Sequence, residues 1–178
     1  MDGIIDRALR AAKLDASLYE EVEADHAALG QAMTVVVVSS VCAGIGSAAH
    51  GGIVGLVLSA IAALISWYIW AYLTYFIGAK LLPEPQTRAD VGELLRTTGF
   101  SSSPGALRIL GIIPGLMTIT FMVSSIWMLV AMVVAVRQAL DYRSTGRAVG
   151  VCLIGWVVMM VIFGVFAFLA APSLTVTD

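Results

Sequence analysis

The chain has 178 residues, 60% of them apolar and only 12% charged, with a formal net charge of −2. Ordinary soluble domains carry about 25% charged residues, and a chain of this size has no core large enough to hide so much apolar surface. The composition therefore excludes an ordinary water-soluble fold, and the lack of a basic excess excludes the electrostatic footprint of a nucleic-acid binder.

The leader opens with DGIIDRALRAAKLD. On a helical wheel Ile4, Ile5, Ala8, Leu9 and Ala12 share one face, while Asp6, Arg7, Arg10 and Lys13 take the other. That pattern predicts an amphipathic helix lying in the lipid headgroup layer. In SLYEEVEADH, Ser17 followed by Glu20 resembles a capping box and predicts the start of a second short helix. Its acidic run, Glu20, Glu21, Glu23 and Asp25, reads as a solvated face, with a dock for a basic partner as the sharper alternative. The first apolar run begins near Met33, behind a charged leader, so no cleaved signal peptide is expected. Residues 1–26 are read as a cytoplasmic segment.

Two apolar runs follow, residues 31–52 and 53–79, separated by almost no loop, and predict a tight helical hairpin. Small residues recur at spacing four: Ser39, Ala43, Ser47, Gly51, Gly55, Ser59 and Ala63. Such a stripe lets helix backbones approach closely in lipid, and it is the expected packing surface together with Gly111 and Gly115. The second run ends in an aromatic band from which Trp67, Trp70, Tyr72 and Tyr75 are expected to anchor the helix at the membrane boundary, with Lys80 just beyond. The polar interval LLPEPQTRADVGELLRTTGFSSSPG then predicts a helix lying flat on the membrane, capped by Thr87 and Asp90, with Val91, Leu94 and Leu95 on its apolar side and Gly99 at its end.

Residues 105–136 are too long for one crossing and short for two. Read once, they leave Arg137, Arg143 and Arg147 on the face opposite the other cations; read twice, all ten cations share a side. The positive-inside tendency favours two crossings. Pro114–Gly115 marks the break, so a short, buried third span with a turn near residues 116–120 is expected, a re-entrant hairpin being the alternative. The final run, opening after RQALDYRSTGRA, spans again and stops at Pro172. The expected fold is all-α: a polytopic bundle of five transmembrane helices, the third short and broken, with amphipathic interfacial helices in the leader and the polar loop. The membrane domain covers 27–172 and a short external tail 173–178.

The order of these segments resembles the Yip1-domain membrane proteins. The resemblance rests on GFSSSPGALRILG before the Pro-Gly break, on IWMLVAMVVAVRQAL closing on a basic residue, and on STGRAVGVCLIGW opening the last span. The leader LDASLYEEVEAD looks like that of prokaryotic members. The resemblance implies five spans, a cytoplasmic N-terminus, and no enzymatic activity. Eukaryotic members associate with Rab-type GTPases and carry an Asp-Leu-Tyr-Gly-Pro motif, which this sequence lacks, so that role is not carried over.

The residues offer little chemistry. Cys42 and Cys152 sit alone in apolar runs without metal-ligand spacing. No run read as spanning holds Asp, Glu, Lys or Arg, with Arg108 assigned to the flank of the polar interval, which weighs against an ion-coupled transporter. There is no Walker motif and no HExxH. His50, beside glycines, could ligate a haem or chlorin axially, although a polar residue at the interface is the plainer reading. No catalytic or metal residue and no cofactor are expected; bound lipid is compatible with the fold, and pigment or haem only within a larger complex. The expected function is a non-enzymatic scaffold or accessory subunit of the cell membrane that packs against lipid, other membrane proteins or a second copy. The alternative is a carrier or channel for small solutes or lipid.

Overall fold

The computed structural model describes residues 3–47 and 52–170. Among them every regular element is helical: α1 (Ile4–Ala12), α2 (Ala16–Ala24), α3 (Leu29–Gly46), α4 (Gly52–Tyr75), α5 (Val91–Phe100), α6 (Met117–Ala139) and α7 (Thr145–Ala170). A 3₁₀ turn, His26–Ala28, leads into α3; a π segment, Phe76–Leu81, extends α4; and a long 3₁₀ helix, Ser103–Ile112, follows α5. Four helical stretches are long and apolar enough to cross a membrane: His26–Gly46, Gly52–Leu81, Met117–Ala139 and Thr145–Val165. The hairpin turn with His50 and Gly51, and the tail 173–178, lie outside the described residues.

Close approaches between glycines and neighbouring helices give the register. A methyl group built on Gly99 would lie 2.7 Å from Ala32 Cβ, one on Gly105 would overlap Ser39 Oγ, and one on Gly111 would lie 2.6 Å from the Gly46 carbonyl oxygen. Residue numbers in the two segments rise together, so α5 and the 3₁₀ helix run parallel to α3 from near its start to its end. Against α6 the order reverses: Ser101 meets Met132, Gly105 meets Met128, and Arg108 meets Ser124. Helices α3 and α4 are antiparallel, with Gly44 against Leu56, and Trp70 of α4 covers Gly155 of α7. One end of the bundle therefore gathers the start of α3, the end of α4, the start of α5, the end of α6 and the start of α7. It holds Lys80, Arg96, Arg137, Arg143 and Arg147 and is called the basic end below.

Helix α5 departs from the expectation. It is not a surface helix: Leu94 through Phe100 are all buried, between α2, α3, α4 and α6. Its polar side chains are tolerated inside because each is hydrogen-bonded. Thr97 Oγ1 donates to the Glu93 carbonyl at 2.9 Å, Thr98 to Leu94 O, and Trp67 Nε1 to Thr98 Oγ1 at 3.2 Å. The cap is Asp90 with Glu93, a reciprocal box with both bonds at 2.8 Å; Thr87 instead braces the preceding turn and donates to Leu140 O at 2.9 Å. In α2 the cap is likewise Asp15, which accepts from Ser17 N at 3.0 Å, two residues before the position that the Ser17–Glu20 spacing suggests.

The leader shares the bundle's core. Ala11, Leu18, Tyr19 and Val22 are fully buried in one cluster with Ala28, Ala32, Phe100 and Ala135. A second cluster joins Ala71, Ile77, Leu94, Val136, Leu140 and Val151 at the basic end. Toward the opposite end the packing thins, and Ile53, Val54, Leu58, Met122, Ile126, Met160 and Phe163 face outward.

Candidate functional site

Two polar features stand out against this apolar frame. The first is a cavity of about 700 Å³ at the basic end, where α2, α5 and the α6–α7 connector meet. Glu20 and Glu23 of α2, Glu93 of α5 and Asp141 of the connector line it, with Gln86, Gln138, Tyr142 and Arg143. Asp141 is held with φ 53°, a left-handed conformation closing a Schellman turn after α6 in which Tyr142 N donates to Arg137 O at 2.9 Å. Burial, reinforced by the charges of Glu93, Asp141 and Glu20, pushes the Glu23 carboxyl up to about 7, against the opposing pull of Arg96. The site can thus hold a proton near neutral pH. Among the described residues no His, Cys, Asp or Glu cluster is arranged to hold a metal ion.

The leader is docked beside this cavity by charge. Arg96, only 3% exposed, aims its guanidinium at the end of α2, where Nε donates to Val22 O at 2.9 Å and Glu23 O at 3.1 Å. Arg7 pairs with Glu21 at 2.8 Å and with Asp25 at 3.0 Å, and Arg10 pairs with Asp15 at 2.9 Å and with Glu21 at 2.7 Å. The Arg10 and Arg7 contacts hold the Glu21 carboxyl below its ordinary value. The acidic run is therefore divided. Glu21 and Asp25 bind the leader's own arginines, while Glu20 and Glu23 turn to the cavity. Helix α1 keeps Ile5 and Leu9 exposed on its outer side, 73% and 55% respectively, so its apolar face is only half used within the chain.

The second feature corrects the sequence reading. Arg108 does not flank the polar interval on the basic side; it sits in the opposite half of the bundle, on the 3₁₀ helix level with Ser124 and Ser125. Nε donates to Ser124 Oγ at 3.0 Å and Nη2 to Ser125 Oγ at 2.9 Å, and the guanidinium lies 5.3 Å from the Phe121 ring centroid. Ser124 is about 11 Å along α6 from Met117, at 1.5 Å per residue. The expectation of no charge inside the spanning region therefore fails at this residue, because charge counting along the sequence assigned it to the nearest polar loop.

The expected packing residues divide. Ser39 is buried against Gly105, and Gly111 touches the backbone of Gly46. Ser47 folds back onto the Gly44 carbonyl at 3.0 Å, Ser59 is exposed and bonds Leu56 O, and a methyl group built on Gly55 would meet nothing within 4 Å outside its own helix turn. Ala43 is half-buried. Gly115, with φ 85°, has open space around it and serves the turn before α6. The closest backbone approach, Gly46 on the Arg108 carbonyl, is not part of the spacing-four stripe. Of the expected anchors, Trp67 and Trp70 point inward, to Thr98 and to Met132 Sδ at 3.3 Å. Tyr72 is exposed, its ring 6.5 Å from that of half-buried Tyr75, over which Lys80 sits at 5.5 Å. Tyr142 escaped sequence reasoning. Its hydroxyl lies 2.9 Å from Gly78 O and 2.7 Å from Leu82 O and shares its single proton between two carbonyls left open at the end of the π segment, a need invisible without that helical irregularity.

Among protein families, the model of the Yip1 domain matches residues 16–166. No curated protein and no solved structure matches the chain.

Proposed function

This chain belongs to the Yip1-domain family, and from that premise we propose that it is a non-enzymatic membrane scaffold or accessory subunit that packs its apolar helices against other membrane proteins. The observation that carries this reading is α4. Across the most apolar window of Gly52–Leu81 none of the residues is buried within the chain. On that helix Gly55 and Ser59 offer a small-residue surface with open space beside it. Close helix approach through such residues is a main source of association in lipid, where burial of apolar surface gives no drive.

In the same reading α5 and the 3₁₀ helix together form the third of five spans. Ten α-helical and ten 3₁₀ residues measure about 35 Å at rises of 1.5 and 2.0 Å, enough for a hydrocarbon core of about 30 Å. Their parallel course along α3 supports this. The positive-inside tendency then puts the basic end, with the leader, in the cytoplasm.

The test is purification from native membranes in mild detergent, with Ser59→Cys as a crosslinking handle. Partners or a second copy should crosslink through α4, and Gly55→Leu should weaken their recovery several-fold. A chain that runs alone from native membranes, with no crosslink at Ser59→Cys, sinks the scaffold reading. The broken third span and the charge at Arg108 favour a carrier as the second reading. Solute or lipid flux in reconstituted vesicles above that of protein-free vesicles supports the carrier, and its absence removes it.

A further inference from the structure

We propose that Arg108, with Ser124 and Ser125, forms a binding site for the phosphate group of a phospholipid in the leaflet at the end opposite the basic end. The site lies in the groove between the 3₁₀ helix and α6. An arginine at this depth needs a counter-charge, because an uncompensated cation is strongly disfavoured in low dielectric. Among the described residues no carboxylate pairs with it. The sequence explains why. No Asp or Glu occurs in 29–82 or 100–140, and in 144–178 only Asp178 does. The counter-charge must come from elsewhere.

The geometry selects its form. A guanidinium has five N–H donors. Nε and one Nη2 hydrogen are engaged by the two serine hydroxyls, and Phe121 lies 5.3 Å from the guanidinium carbon. The remaining donors lie on the Nη1–Nη2 edge, which matches two oxygens of a phosphate in the bidentate manner. The serines also hold the guanidinium in one orientation, which lowers the ordering cost of binding. The surrounding surface is apolar and faces lipid, with Ile112, Met122 and Ile126 exposed, so the acyl chains of a phospholipid find a compatible wall where a free ion does not.

The full chain, delipidated in dodecyl maltoside, is titrated with dioleoylphosphatidylglycerol, with diolein (the same tails without phosphate) and with inorganic phosphate, and read by native mass spectrometry and thermal unfolding. The phospholipid should bind at least about ten-fold more tightly than diolein, and inorganic phosphate should neither bind comparably nor displace it. Arg108→Gln should remove that preference by about ten-fold or more, as loss of a charge-assisted bidentate contact requires. Ser124→Ala with Ser125→Ala should weaken binding several-fold; because this variant keeps the arginine, it also serves if Arg108→Gln fails to fold. Unchanged phospholipid preference in the serine variant together with either unchanged preference or misfolding in Arg108→Gln overturns the site. Inorganic phosphate binding as well as the lipid overturns the lipid assignment. A native chain without phospholipid preference that gains one on Asp178→Asn overturns it in favour of the tail carboxylate as partner.

Discussion

At the scale of single residues, the bundle depends on a few positions where no side chain fits. Gly46 presses on the Arg108 carbonyl and Gly105 on Ser39 Oγ, so Gly46→Ala or Gly105→Ala should lower stability by about 1–3 kcal/mol, as overpacking does. Gly55→Ala, with open space around it, should stay within about 0.5 kcal/mol. Thermal unfolding in one detergent ranks the three. Spacing along the sequence puts Gly55 in the packing stripe and leaves Gly46 out, the reverse of their packing, because what the rest of the chain brings to each is not written in the spacing. Glu23 gives a second expectation. Its carboxyl sits at about 7 when folded against an ordinary 4.5, so the native state holds the proton more tightly. Its contribution to docking α2 is full below about pH 4.5 and is lost as pH rises through 7, on the order of 1–2 kcal/mol after allowing for partial exposure. Glu21 works in the opposite sense, since its lowered value means that its ion pairs weaken as pH falls. Protection of the α2 amides, taken relative to the intrinsic exchange rate at each pH, should therefore fall between about pH 5 and about pH 7, and Glu23→Gln should abolish that fall.

At the scale of elements, the apolar runs locate α3, α4, α6 and α7, and the acidic leader and the polar interval each hold a short helix, as their capping residues and apolar faces predict. The sequence misplaced α5 because polar residues such as Arg96, Thr97 and Thr98 read as exposed, whereas neighbouring carbonyls and Trp67 satisfy them in the interior. The break at Pro114–Gly115 was legible, but the 3₁₀ form of Ser103–Ile112 was not. That form lets the segment run almost backbone to backbone with α3 at Gly46 and Gly111. If α5 and the 3₁₀ helix cross together, Arg88→Cys and Leu116→Cys, each in a chain lacking Cys42 and Cys152, should react with a membrane-impermeant thiol reagent from opposite faces of sealed vesicles. Labelling of both from one face contradicts the fifth crossing.

At the scale of the whole molecule, the leader behaves as a cap rather than a separate segment. Its helices are held by one buried arginine from α5, by ion pairs at Arg7 and Arg10, and by Tyr19 and Val22 in the shared core. Arg96→Gln should undock α2 at a cost of about 2–4 kcal/mol, because two backbone carbonyls lose a buried charged donor. Glu21→Gln should cost about 1 kcal/mol, the worth of a partly exposed pair. Limited proteolysis of the leader should show the first cleaved much faster than the native chain and the second only slightly faster. The sequence alone determined that the chain is an all-helical membrane protein, because long uncharged runs have no other stable solution in lipid. It also carried the Yip1 resemblance, and it put all ten cations on one side, which the structure overturns at Arg108. Only the tertiary structure decided that α5 lies inside the bundle, that the leader's acids divide between its own arginines and a cavity, and that Arg108 stands among serines far from any described carboxylate. Hydropathy reports how each segment meets solvent or lipid, whereas these three features depend on which distant residues the fold brings within hydrogen-bonding reach.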